Sequence, residues 1–201
     1  MVSTCIITAK IDPKLQRAIN SVAGLGEVVV VDTQGEPPQI YLHGYYSYPW
    51  NDDFAKARNF ALEKATGKWI LSLDADEWID GDGWRKLHAL DNELANRAYY
   101  TRLIDGGWGV GKYALDQVKI FPNSSNIRYI GRIHEQIAPS IAKLGMPFIH
   151  SGVNVYHDGY VNPQELHLKR QRNLRISNKW IKEEPGNPWA NFWYNYIRTY
   201  Q

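Results

Sequence analysis

Short apolar runs alternate with amphipathic stretches through the first third of the chain. Thr4-Cys5-Ile6-Ile7-Thr8 is a run of strand length. Over residues 13–22, Leu15, Ala18, Ile19 and Val22 recur at helical spacing with Pro13 at the start, and Gly24 and Gly26 break the pattern. Val28-Val29-Val30-Val31 is β-branched throughout and ends at Asp32. That pattern predicts a central parallel strand covered on both faces. Residues 33–49, rich in Gly, Pro and Tyr, read as loop with one short strand near Ile40. Asn51 or Asp52 caps a predicted helix running to Thr66, with Phe54, Ala57, Ala61, Leu62 and Ala65 at its apolar positions and Gly67 as its stop. Trp69-Ile70-Leu71-Ser72-Leu73 is another buried run, and it ends at Asp74-Ala75-Asp76.

Strand–helix–strand followed by helix–strand gives a parallel sheet with right-handed crossovers. Ligands of such sheets bind beyond the carboxyl ends of the strands. Asp32 and Asp74-Ala75-Asp76 both occupy such ends, so they are expected to converge on one site although far apart in sequence. Residues 99–104, 117–121 and 127–130 read as further β structure. Residues 163–182 and 189–200 read as two helices separated by Pro185-Gly186-Asn187-Pro188. The expected division is a sheet domain over 1–160 and a short helical extension over 161–201.

Composition narrows the function classes. A net charge of +2 on 201 residues gives no bulk attraction to nucleic acid or a membrane surface. The single cysteine, Cys5, excludes an internal disulfide framework. No apolar run approaches the roughly 20 residues of a membrane span, and no leader-like N-terminus is evident. A cytoplasmic protein is expected, which makes the Asn123-Ser124-Ser125 sequon a chance match. The 8 Trp and 13 Tyr supply packing, and some can serve as flat platforms for a sugar ring or a base.

Asp74-Ala75-Asp76-Glu77 is the sharpest chemical feature. Three carboxylates in four positions repel one another and cost stability without a cation. Hard oxygen ligands suit Mg²⁺ or Mn²⁺, ions that keep positions open for substrate phosphates. The same residues would also suit a solvated turn capping a helix.

Asp53-Phe54-Ala55-Lys56-Ala57-Arg58-Asn59-Phe60-Ala61-Leu62, followed by the segment from Ala65 through Asp74-Ala75-Asp76-Glu77, resembles glycosyltransferase family 2. Val29-Val30-Val31-Asp32 matches that family's second strand. Ile133-His134-Glu135 resembles its hydrophobic-His-Glu element, and His157-Asp158-Gly159-Tyr160 with Lys169, Arg172 and Asn173 resembles its tail. The resemblance implies an α/β GT-A fold, a mixed, mostly parallel Rossmann-like sheet flanked by helices. It implies a nucleotide-sugar donor, expected to be a UDP-sugar, and a divalent Mn²⁺ or Mg²⁺ ion. Carried over by position, Asp32 contacts the nucleobase, Arg58 lies beside the nucleotide, and Asp74 sits near the ribose or reaches the metal through water. Asp76 ligates the metal and His157 is a second metal or diphosphate ligand. Thr8, Lys169 and Arg172 complete the donor-binding set, and Glu135 is the candidate general base. The chemistry implied is inverting transfer to an acceptor the sequence does not name.

The residues also admit plainer roles. Arg58 on an amphipathic helix serves an ion pair as readily as a ligand, and His134 is expected to pack or to orient its neighbour. Lys169, Arg172 and Asn173 on a polar helix would ordinarily face solvent. A metal-dependent nucleotidyltransferase would share the sheet and the carboxylates, and a carbohydrate-binding protein with a degenerate site would suit the aromatic content. The sequence departs from the family pattern at Ala9-Lys10-Ile11-Asp12 and at Thr33-Gln34-Gly35-Glu36, which changes the expected base pocket. Gly106 to Lys112 spells the start of a phosphate-binding loop, but Tyr113 replaces the Ser or Thr that binds Mg²⁺. His134-Glu135 lacks the second histidine of a zinc-protease motif, since position 138 is alanine.

Overall fold

The computed structural model describes residues 1–34, 44–105, 114–157 and 163–200. The first unit runs β1 (Val2–Thr8), α1 (Pro13–Ser21) and β2 (Gly26–Asp32). The short β3 (Tyr45–Ser47), α2 (Phe54–Lys64) and β4 (Trp69–Asp74) follow. Then come β5 (Glu77–Ile79), α3 (Gly81–Ala89), β6 (Ala98–Asp105), β7 (Ala114–Pro122), α4 (Ala138–Lys143) and β8 (Phe148–His157). The described chain ends in α5 (Pro163–Glu183) and α6 (Pro188–Tyr200). Eight strands of the described residues form one sheet in the order β3-β2-β1-β4-β7-β6-β8-β5. Strands β1 to β4 are mutually parallel, β7 and β5 run against their neighbours, and β6 and β8 are parallel to each other. This is the mixed, mostly parallel sheet flanked by helices that the motif pattern implied.

Alternate residues of the central strands feed opposite faces. Ile6, Val30 and Leu71 pack with Leu15 and Ala18 of α1 and Leu87 of α3. Cys5, Val29, Val31 and Ile70 pack with Ala61 and Leu62 of α2 and Ile141 of α4. The all-β-branched Val28–Val31 run is explained by this double cover. A third cluster, Ile133, Ile176, Trp180, Ala190 and Ile197, joins α5 and α6 to the segment before α4 and to Trp50 and Phe54. No helix among the described residues is long and apolar enough to cross a membrane.

Several boundaries differ from the sequence expectation. Asp53, not Asn51 or Asp52, caps α2, its carboxylate accepting from Lys56 N at 3.0 Å. Asp52 instead has φ 61° and spends its carboxylate on Trp50 Nε1 and Arg175 Nη2. Helix α2 ends at Lys64, before Gly67, and Ala65 is already extended. Residues 127–130 form no strand; only an isolated bridge pairs Ile130 with Gln136. Strands β5 and β8 and helices α3 and α4 were not anticipated. The short strand expected near Ile40 and the glycine-rich 106–112 segment lie outside the described residues.

Candidate active site

The parallel register brings three predicted residues to one edge. Thr8 pairs with Asp32 across β1 and β2, and Ile7 pairs with Asp74 across β1 and β4. One strand separates Asp32 from Asp74, about 10 Å at ordinary strand spacing. The turns beyond these strands are tied together. Thr33 donates to the Thr8 carbonyl through N (2.8 Å) and through Oγ1 (2.9 Å). Thr8 Oγ1 donates to the Lys10 carbonyl at 2.6 Å. Asp32 is buried; it accepts from Tyr45 Oη at 2.7 Å and from Gln34 N at 2.8 Å. Burial and the Asp32 carboxylate push the Tyr45 phenol well above its ordinary range.

Arg58, from the middle of α2, is the hub of the next layer. Its Nη2 donates to Asp74 Oδ1 and its Nε to Glu135 Oε1, each at 2.5 Å, while Nη1 reaches Ser72 Oγ at 3.4 Å. Burial opposes its charge, but Asp74 and Glu135 keep the guanidinium protonated. Burial alone would raise Asp74, yet Arg58 and then Lys119 outweigh it and hold the carboxyl well below the usual range.

The acidic cluster is not the bare set of repelling carboxylates that the sequence suggested. Glu77 turns inward, 2% exposed, and accepts from Lys119 Nζ at 2.7 Å and from Asp74 N at 2.8 Å. Burial works against the Lys119 charge, but Glu77 and Asp74 hold it protonated. Arg58 and Lys119 therefore compensate the first and last acids of the motif from within the protein. Lys119 was missed from the sequence; its one signal was a lone lysine in the otherwise apolar half of the 117–121 run.

Asp76 remains half-open, and its partner comes from the far end of the chain. Antiparallel pairing of β5 with β8 sets His157 opposite Glu77. His157 Nε2 thereby lies 3.2 Å from Asp76 Oδ2. Burial would raise Asp76, but the His157 contact outweighs it and the carboxyl is lowered, with Lys169 of α5 adding positive charge. Arg172, one turn further along α5, sits with its guanidinium 5.0 Å from the Phe54 ring, and its charge reaches His134. Lys169 thus joins the Asp76–His157 side, and Arg172 lies beside the loop that carries Glu135. Asp158, Gly159 and Tyr160 lie outside the described residues. Among the described residues, no group of three or more His, Cys, Asp or Glu side chains is arranged as a metal site.

The model of glycosyl transferase family 2 matches residues 3–160. The chain belongs to glycosyl transferase family 2. Its relatives include the SPbeta prophage-derived glycosyltransferase SunS of Bacillus subtilis, 26% identical over 205 residues, covering 94% of this chain and 47% of SunS. A TPR repeat-containing protein of Synechococcus elongatus is 31% identical over 149 residues, covering 71% of this chain and 37% of that protein. The chain thus spans about half or less of the length of these relatives. Among solved structures, S. aureus TarS 1–349 in complex with UDP-GlcNAc aligns over 90% of this chain and 66% of that one, at TM-score 0.54 and 17% identity. GalNAc-T7 with UDP, GalNAc and Mn²⁺ aligns over 80% of this chain and 44% of that one, at TM-score 0.57 and 12% identity. At such identities the likeness is one of fold, and the fold is that of GT-A glycosyltransferases.

Proposed function

We propose that this protein transfers a sugar, with inversion, from a UDP-sugar to an acceptor hydroxyl or thiol, using a divalent ion on the diphosphate. The observation that carries the reading is the meeting of Asp76 and His157 at 3.2 Å beside the Arg58–Asp74–Glu135 network. A carboxylate and an imidazole this close, both partly exposed, fit an ion such as Mn²⁺ that fills its other positions with water and phosphate. When bound, such an ion neutralises the charge that develops on the leaving diphosphate. The UDP-GlcNAc complex of TarS and the UDP, GalNAc and Mn²⁺ complex of GalNAc-T7 support the same donor chemistry.

The chain's own groups then divide the work. Asp32 and the Thr8 turn receive the nucleobase end of the donor. Asp74, fixed by Arg58, faces the ribose or a metal-bound water. Lys169 adds positive charge on the diphosphate side, and Arg172 adds it beside the loop that carries Glu135. Glu135 takes the acceptor proton; Arg58 engages only its Oε1, so the second carboxylate oxygen serves as base.

Release of UDP from UDP-GlcNAc with and without Mn²⁺ tests the reading. Asp76→Ala should abolish the Mn²⁺ dependence, and Glu135→Gln should lower kcat by about 100-fold or more with little change in donor binding. Mn²⁺-independent binding of UDP-GlcNAc, unchanged in Asp76→Ala, would remove the metal role. Pyrophosphate release from a nucleoside triphosphate would point to nucleotidyl transfer instead.

A further inference from the structure

The loop that carries Glu135 is gripped on both sides. Its ends are closed by paired backbone bonds, Ile130 N to Gln136 O at 3.0 Å and Gln136 N to Ile130 O at 2.9 Å. On one side Glu135 meets Arg58. On the other, Ile133 is buried among Ile176, Trp180, Ala190 and Ile197 of α5 and α6. Gly131, at φ 91°, passes Trp180 so closely that a Cβ would lie 3.0 Å from the ring.

His134 sits between these two grips. It and Asp52 are the non-glycine residues with positive φ among the described residues, and both lie where α5 and α6 meet the sheet domain. Such a backbone is unfavourable for a side chain with a Cβ and persists where the surroundings over-determine it. Hydrogen bonding does not supply that hold through Nε2, which is buried and makes none among the described residues. The observed contact is a stack: the imidazole lies parallel to the indole of Trp193, centroids 3.9 Å apart at 19°. Trp193 is itself braced edge-on by Phe192 and Tyr196 of the same helix.

We propose that Trp193 is a positioning residue: by stacking on His134 it holds the left-handed backbone that aims the next side chain, Glu135, at Arg58 and the sheet edge. The C-terminal helix pair then belongs to the catalytic unit. This rests on Glu135 being the base, so the test separates the two ideas.

Hydrogen exchange of the Ile130 and Gln136 amides reads the hold on the loop directly. An aromatic stack of ordinary strength predicts exchange faster by about two- to tenfold in Trp193→Ala and Trp193→Leu, with protection restored in Trp193→Phe. Kinetics of UDP release from UDP-GlcNAc with Mn²⁺ reads the consequence. In Trp193→Ala, kcat should fall by on the order of ten- to a hundredfold with KM within about twofold. In a Glu135→Gln background the same substitution should cost nothing further, because it acts through the missing group. Unchanged exchange in Trp193→Ala and Trp193→Leu, or an equal kcat loss in both backgrounds, overturns the proposal. An undiminished rate in Glu135→Gln alone overturns the assignment of the base, while the exchange result still judges the grip of Trp193.

Discussion

Arg58 and Lys119 show how single residues settle the electrostatics of an acidic turn. Arg58 holds the Asp74 carboxyl low against burial, whereas burial keeps the Glu77 carboxyl raised even with the Lys119 ammonium beside it. The pair Lys119–Glu77 is the more deeply buried, with side chains 8% and 2% exposed. Removing one member strands the other as an uncompensated charge, at a cost of about 3–5 kcal/mol. Lys119→Met should therefore destabilise the fold by roughly that amount in urea unfolding at pH 7. The double variant Lys119→Met with Glu77→Gln should recover much of the loss. If the single variant unfolds at the wild-type urea concentration, the pair does not hold the turn. The sequence made Asp74, Asp76 and Glu77 visible as a group, yet it could not show that they face different ways. That sorting depends on a lysine more than forty residues later in the chain and on a histidine about eighty residues later.

Among elements, legibility followed the strength of the local pattern. Strands β1, β2 and β4 have mostly apolar runs, broken only by small buried polar residues such as Thr4 and Ser72, because both their faces are covered, and α2 has helical spacing. Helix α3 begins Gly81-Asp82-Gly83, a poor helical opening by propensity. Close packing favours the second glycine: a Cβ at Gly83 would lie 3.2 Å from the Val153 side chain and 3.4 Å from that of Ile79. Strand β8 lacks a clean alternation because its register with β6 shifts between Tyr100 and Arg102. Gly67 was legible as a break but not for its true reason. It lets β4 start flush against β1; an added Cβ would come 2.6 Å from Ser3 Oγ, 2.8 Å from Ser3 N and 2.9 Å from Met1 O. Two of those three atoms are backbone, so the strands themselves would have to part. Gly67→Ala is expected to destabilise by about 1–3 kcal/mol. A thermal melt within about one degree of wild type would refute that close approach.

At the scale of the whole molecule, the two-faced sheet makes global unfolding the route by which its interior meets solvent. Cys5 reports this directly. Burial, aided by Glu27, pushes its thiol from 9.0 up to about 12. The folded pKa is raised, so this contribution to stability is intact below pH 9 and is lost as pH climbs toward 12. Within that window the unfolded chain releases a proton that the folded chain retains, a slope of about 1.4 kcal/mol per pH unit. Native protein at pH 9 should resist iodoacetamide and react in proportion to its unfolded fraction. Rapid labelling without denaturant would show that the covering face opens locally.

The 5–8 strand pairing carries a last implication. His157 faces Asp76 because a three-rung ladder, Glu77 to His157 through Ile79 to Val155, counts residues correctly from both sides. Side chains alternate along a strand, so a single inserted or deleted residue within β8 would swing the imidazole to the opposite surface. Every recognisable motif would survive such a slip letter for letter, and the acid would be left without its partner. For this chain, arithmetic between the motifs is as much a part of the candidate site as their spelling.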